Sequence, residues 1–373
     1  MRILQLHNRY RHEGGEERAV ADITTLLRSR GHEVEVLERS SEKAGAVTAA
    51  RGLLGGGINP QEVAEAVRCS GAEVVHAHNL HPLLGWRALA AARAAGARTV
   101  LHLHNFRLFC AVAIAYRDGE RCFRCRGANT FPGLRLRCRG SLPEAAVYAA
   151  GLASQQRRLV DHADQLVAVS EATLGRLREL GLPDDKSIAL ANFVLDDAQA
   201  TRSRAGEGSY ALATGRLVAE KGFDTAIEAA RAASIPLVIA GDGPDEARLR
   251  ALAAGGEVRF TGRVVPDELA RLRAGAAVVL APSRWEEPCP YSVLDALAAG
   301  LPVLASDRGG LPELVGAEGI VAAEDPAAWA AGLTALWRDP ELRAARGAAS
   351  LERARRQHGE ERYLERLLQI YVS

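Results

Sequence analysis

Residues 276–312 constrain this chain more than any other stretch. A short apolar run, a loop with two adjacent carboxylates, an amphipathic helix and a second apolar run follow one another there with almost nothing between them. The run 276–281 is short and carries two valines, as a buried strand does, and Pro282 and Ser283 end it. From Tyr291 the apolar residues Val293, Leu294, Leu297 and Ala298 recur at helical spacing, Gly300 closes the helix, and residues 301–306 are again strand-like. Glu287 and Asp295 therefore flank a helix N-terminus. Carboxylates accept paired hydrogen bonds from neighbouring hydroxyls, as on a sugar or a ribose, while amides at a helix start attract an anion such as phosphate. A nucleotide sugar carries all three parts.

The same alternation of short apolar runs and helical periodicity opens both halves of the chain. A strand over 2–7, a glycine-containing loop over 8–17, a helix over 19–29 and a strand over 33–37 make the β-loop-α-β start of a doubly wound sheet. After the polar, aperiodic residues 196–209, which read as a linker, the pattern restarts with a strand over 210–214, a helix over 224–233 and a strand over 237–240. A chain of 373 residues suits two such domains, here 1–195 and 210–349, with a terminal helical tail over 350–373. A net charge of +1 argues against a chain-wide nucleic-acid binder, and no apolar span approaches the ~20 residues that cross a bilayer. Met1 and Arg2 lead straight into a strand, so the expectation is a cytoplasmic protein whose six cysteines are reduced or metal-bound.

Between these landmarks several segments carry candidate chemistry. Residues 45–60, small and glycine-rich, read as a mobile loop. His76, His78 and His81 follow a strand at metal-like spacing, but without an accompanying carboxylate or cysteine they read as strand-end residues lining a cleft. His104 stands at the carboxyl end of the strand 98–103, where open α/β sheets bind ligands. Arg216 and Lys221 bracket a loop just before a helix start, where a guanidinium and an ammonium could neutralise a departing diphosphate.

Residues 107–140 are unlike the rest. They hold Cys110, Cys122, Cys125 and Cys138, together with eight arginines against only Asp118 and Glu120. Four cysteines around a C-x2-C core match a structural zinc site; unligated thiols or a disulfide-bonded hairpin are the other readings. The arginines could hold an anionic acceptor, touch an acidic membrane face, or simply be solvated. Aromatic residues are too widely spaced here for a single-stranded nucleic-acid platform.

Pro282-Ser283, Glu287, Asp295 and the closing Ala299-Gly300-Leu301-Pro302-Val303 resemble the signature of glycosyltransferase family 4, and the string from Gly215 to Phe223 resembles that family's glycine-arginine…lysine-glycine segment. Two departures stand out: Asp295 where the family usually has Glu, and Pro290, which has no N–H to donate, where many members have Gly. The resemblance covers nearly the whole chain. It implies an α/β protein of GT-B fold, two Rossmann-like doubly wound domains facing each other across a cleft, with acceptor binding in the first and nucleotide-sugar binding in the second. It further implies retaining transfer of a sugar from a nucleotide diphosphate sugar to a hydroxyl acceptor (a sugar, a lipid-linked sugar or a natural product), with no metal in catalysis. By resemblance Glu287 faces the transferred sugar and His104 reaches the donor sugar or the acceptor. Arg216 and Lys221 hold the donor phosphates, Gly15 lies near the diphosphate, and Asp295 takes the ribose. Gly241, Val264 and the helix start Tyr291, Ser292 and Val293 complete the donor site. A subset of the family carries similar cysteines after the His-containing strand, and a peripheral position at the inner membrane face is compatible with the arginines. A nucleotide-sugar epimerase of the same fold and a non-catalytic nucleotide-sugar-binding protein are the competing readings.

Overall fold

A computed structural model of the protein describes residues 1–10 and 14–373. The chain forms two compact α/β units: one made of 1–115, 122–191 and 363–373, the other of 116–121 and 192–362. In chain order the strands are β1 (Arg2–Arg9), β2 (Glu33–Ser40), β3 (Val74–Ala77), β4 (Arg98–Leu103), the two short strands β5 (Tyr116–Arg117) and β6 (Glu120–Arg121), β7 (Gln165–Ala168) and β8 (Ser187–Ala189). The second unit continues with β9 (Tyr210–Thr214), β10 (Leu237–Ala240), β11 (Val258–Gly262), β12 (Ala276–Ala281), β13 (Val303–Ser306) and β14 (Ile320–Val321).

Each unit is built on one six-stranded parallel sheet. The first has the order β2-β1-β3-β4-β7-β8, the second β11-β10-β9-β12-β13-β14. In both, the chain crosses over near the middle of the sheet, the topology of a doubly wound fold. Strands of such sheets are covered on both faces and so should be apolar on both. The second unit obeys: Ala276 to Leu280 of β12 are all buried. The first breaks the rule in a regular way. Leu4, Leu6, Val75, Ala77, Leu101 and Leu103 enter the apolar core on one face, while the alternating positions Gln5, His7, His76 and His102 are polar and buried.

Three elements differ from the sequence reading. Residues 45–60 are not a loop but contain a helix, Ala46–Gly55, followed by another, Pro60–Ser70. The glycines that read as breakers sit where backbone must pass closely: a Cβ on Gly52 would lie 2.6 Å from the Pro82 carbonyl, and Gly56 is the left-handed C-cap at φ 82°. The first helix begins at Gly15 and not near Ala19, because Glu17 reaches back to the Gly14 N–H at 2.9 Å and closes the first turn. The boundary read at 349 falls inside a helix, Pro340–His358, and a separate helix, Glu360–Val372, follows Gly359. Residues 196–209 hold two short turns, and Ala205 among them is buried, its carbonyl bonded by Arg343 Nε at 3.0 Å. No described helix is long and apolar enough to cross a membrane.

Candidate active site

In the second unit the loops that follow β9, β12 and β13 meet around one ion pair. β12 ends at Ala281, and Ser283, just beyond, donates from Oγ to Glu287 Oε1 at 2.6 Å. Lys221 Nζ bonds the same carboxylate oxygen at 2.5 Å. Glu287 is nearly inaccessible, at 3%, so its charge is compensated within the protein by the ammonium and the hydroxyl. The approach of the two loops depends on glycine. Gly222 has φ 68°, and a Cβ there would stand 2.0 Å from the Pro282 carbonyl; Gly309 has φ 56°, and its Cβ would stand 2.3 Å from the Glu287 carbonyl. Only glycine satisfies both the conformation and the contact. Neighbouring Glu286 accepts from Arg121 Nη1 and from the Gly309 N–H, each at 2.8 Å. Lys221, Ser283, Glu287, Ser292 and Val293 line one open recess.

The other expected donor-site residues stand around this pair in different ways. Arg216 is largely exposed and only loosely paired, its guanidinium 3.6 Å from Glu220. Gly241 caps β10 at φ 147°, its N–H bonded to the Gly262 carbonyl at 2.9 Å, and a Cβ there would collide with the Gly215 carbonyl. Val264, half-buried, follows β11 on the same turn. Tyr291 opens the helix Tyr291–Ala298 and is buried. Asp295 sits one turn along that helix and forms an ion pair that the sequence did not reveal, with Arg273 Nη2 at 2.6 Å. Arg273 comes from the helix Pro266–Ala274, so the acid is oriented by a distant part of the chain.

In the first unit the charge pair at the end of β2 reaches the surface, Arg39 bonding the exposed Glu62 at 2.6 Å. The unit's polar face is a stack of imidazoles: the His102 and His104 ring centres are 4.3 Å apart, and those of His76 and His78 are 4.4 Å apart. His78 Nδ1 meets His104 Nε2 at 2.9 Å, and His76 Nε2 meets His102 Nδ1 at 3.2 Å. The outer nitrogens are bonded as well, His78 Nε2 to Gln5 Oε1 at 3.0 Å and His76 Nδ1 to the Tyr371 hydroxyl at 2.8 Å. Burial and mutual repulsion hold His78, His102 and His104 well below the ordinary imidazole range, so the stack is neutral. His76, His78 and His102 are the only described trio whose ligand atoms come within 4.8 Å of one another, but both nitrogens of His76 and of His78 are already hydrogen-bonded. The histidines that read as strand-end residues are thus the buried interior of this face.

His104 lines a recess with Tyr10, Glu16, Asn105 and Arg107. Asn105 donates to Glu16 Oε2 at 3.1 Å. Burial raises the Glu16 carboxyl to about 7, whereas Glu17, pushed up by burial but bonded by His7 and by the N–H groups of Tyr10 and Gly14, falls to about 2. Gly15, exposed, precedes this pair in the first helical turn. Gln5, Glu16 and His102 escaped the sequence reading. For Gln5 and His102 the signal was there, in Gln-Leu-His, His-Ala-His and His-Leu-His, polar residues alternating with an apolar one along three strands.

The four cysteines are free thiols, all half-buried. Cys122 N–H bonds the Ala115 carbonyl at 2.7 Å, and Cys138 N–H the Gly133 carbonyl at 3.0 Å. Cys125 is raised to about 11 by burial, with Cys110, Cys138 and Cys122 near enough to add to the effect.

Two family patterns match the chain. Glycosyl transferases group 1 fits residues 208–339, and the glycosyl transferase 4-like domain fits residues 14–192. A GDP-mannose-dependent alpha-(1-6)-phosphatidylinositol monomannoside mannosyltransferase of Mycobacterium tuberculosis is 39% identical over 129 residues, 31% of this chain and 34% of that protein. The chain thus matches about a third of the length of that relative. Sucrose-phosphate synthase from Thermosynechococcus elongatus shares the fold with a TM-score of 0.72 at 17% identity, covering 99% of this chain and 98% of that one. Anabaena Alr3699/HepE in complex with UDP-glucose does so with a TM-score of 0.66 at 18% identity and the same coverage.

Proposed function

The chain belongs to the group 1, family 4-like glycosyl transferases of GT-B fold, and from that premise we propose that it moves a sugar from a nucleoside diphosphate sugar to an acceptor hydroxyl with retention of configuration and without a metal. The observation that carries this reading is the Lys221–Glu287 pair, held by Ser283 at the end of β12. Before donor binds, the two charges neutralise each other; a diphosphate arriving beside Lys221 takes over the ammonium, and Glu287 is left to accept from the hydroxyls of the sugar. Arg216, exposed and loosely held, is able to turn to the same phosphates. As the bond from the anomeric carbon to the diphosphate breaks, the acceptor oxygen bonds that carbon on the same face and its proton passes to the departing phosphate oxygen. Lys221 and Arg216 then offset the charge that develops there. Asp295, oriented by Arg273, takes the ribose. The relatives named above, one dependent on GDP-mannose and one bound to UDP-glucose, support a nucleotide-sugar donor.

A panel of nucleoside diphosphate sugars incubated with the protein tests this. Slow release of nucleoside diphosphate from one donor is the expected result. Conversion of the sugar without release identifies an epimerase, and binding with neither outcome, even when candidate acceptors are supplied, identifies a non-catalytic binder.

We further propose that Cys110, Cys122, Cys125 and Cys138 hold a structural zinc. The three thiols around Cys125 support this, as does the segment's need for a cross-link: Ala113, Ala115, Asp118 and Arg137 all adopt positive φ, and regular structure is confined to two short strands and a five-residue helix. With zinc–sulfur bonds of about 2.3 Å the thiols must draw closer on binding. Metal analysis of protein purified without chelator is expected to find zinc at about one per chain; metal-free protein with the same stability removes the proposal. Contact with an acidic membrane face is supported by the exposed Phe131 beside the exposed Arg135 and Arg137.

A further inference from the structure

The orientation of each group in the chain from the first helix to His104 follows from counting protons. Thr24 has one hydroxyl proton and gives it to the Val20 carbonyl at 2.7 Å. Its oxygen must then accept, and it accepts from Gln5 Nε2 at 2.9 Å. That bond directs the Gln5 carbonyl oxygen toward His78, where it meets Nε2 at 3.0 Å. An amide oxygen only accepts, so His78 carries its proton on Nε2. In a neutral imidazole the other nitrogen then holds a lone pair. His78 Nδ1, 2.9 Å from His104 Nε2, therefore accepts, and His104 is the donor.

We propose that Thr24, Gln5 and His78 lock His104 in the tautomer protonated on Nε2, so that the ring offers its Nδ1 lone pair as a hydrogen-bond acceptor to a substrate hydroxyl. Among the described residues Nδ1 of His104 has no hydrogen-bond partner, and the half-buried ring lines the recess that holds Tyr10, Asn105 and Arg107. The depressed basicity of His78 and His104 fits, because an imidazolium at His78 would donate from both nitrogens and reverse its bond to His104. Stacking on His102, with ring planes 23° apart, limits rotation of the His104 ring. Gln5 and His78 are positioning residues in this scheme, since neither touches the hydroxyl. The hydroxyl partner rests on the transferase reading; the tautomer does not.

Histidine-selective 15N labelling of the full chain, with long-range proton–nitrogen correlation and His104→Asn to assign the signals, tests the lock without any substrate. The expected spectrum shows His104 protonated at Nε2 and bare at Nδ1. Protonation at Nδ1, or a mixture of tautomers in the unaltered protein, overturns the proposal. Gln5→Leu should release His78 and give mixed signals for His104, while Gln5→Glu, which as a buried neutral acid keeps both a donor for Thr24 and an acceptor for His78, should preserve the locked pattern. An unchanged spectrum in folded Gln5→Leu removes Gln5 from the scheme; if that variant does not fold, the spectrum of the unaltered chain still decides. Turnover in folded Gln5→Leu should fall roughly tenfold, the worth of one hydrogen bond, and be restored in Gln5→Glu. Full turnover in His104→Asn would remove the hydroxyl partner and count against His104 in the transferase site, while leaving the spectral result standing.

Discussion

The two units meet the same difficulty, polar groups buried at the carboxyl ends of parallel strands, in opposite ways. In the second unit a full negative charge on Glu287 is kept and balanced by Lys221 and Ser283. In the first, imidazoles are kept neutral, and both nitrogens of His76 and of His78 are bonded by neighbouring rings, by Gln5 and by Tyr371. A charge pair is suited to exchanging partners with an incoming ion, since each member can be re-paired. A neutral chain is suited to fixing direction, since each bond dictates the next. Removing one member of the pair strands a buried charge, whereas removing one imidazole strands only a dipole.

The largest effect is expected at the pair. Lys221→Ala should lower turnover by about 10²–10³-fold, as loss of a transition-state charge partner does, and should cost roughly 3–5 kcal/mol of stability by leaving Glu287 buried and unpaired. The double variant Lys221→Ala, Glu287→Gln separates the two roles: denaturant unfolding should show most of the stability returned, and a donor-turnover assay should show no recovery. Recovery of turnover would make the pair a structural feature, no different in kind from the imidazoles.

Gly222→Ala tests whether loop approach sets the pair. A side chain at φ 68° with its Cβ 2.0 Å from the Pro282 carbonyl cannot be accommodated in place. Thermal unfolding should report a loss of roughly 1–3 kcal/mol for the forced backbone, with a larger fractional loss of turnover than of donor affinity.

In the first unit, burial sets the Glu16 carboxyl against ionisation. Its folded value of about 7 lies above the ordinary carboxyl value, so the folded state favours the protonated form. Stability from this group is present at low pH, falls between about 4.5 and 7, and is fully lost above. Glu16→Gln should therefore stabilise the protein at pH 8 by a few kcal/mol, since each tenfold change in proton affinity is worth roughly 1.4 kcal/mol, and leave it nearly unchanged at pH 4. Equal effects at both pH values in denaturant unfolding would contradict a buried neutral acid. Glu17 behaves oppositely, supporting the fold above its ordinary value and losing that support as pH falls toward about 2.

The smallest effect belongs to the surface. Reversing the charge of Arg135, Arg137 and Arg139 together should change stability by no more than about 1 kcal/mol, even though Arg139 pairs with Glu144 at 2.7 Å, because exposed pairs contribute little. Flotation with vesicles containing acidic lipid should drop markedly in the same variant. Equal flotation and equal turnover would mean these arginines are only solvated.

What could be read from the residues alone was whatever depends on neighbours in sequence. Short apolar runs placed β4, β9, β10 and β12 at their observed bounds, and Gly222 and Lys221 were already tied to the strand end by their order in the chain. Misreadings arose where a residue's meaning comes from what lies across from it. Gly52 and Gly56 look like helix breakers until Pro82 and Trp86 are seen pressed against them. Asp295 looks like a lone acid until Arg273 arrives from another helix. His76 and His78 look like strand-end histidines until parallel register brings β4 alongside and strand alternation turns them onto one buried face with His102. Local periodicity and capping act over a few residues and are written in the sequence as they stand. Pairing across strands and helices depends on register and packing, which exist only once the chain has closed on itself.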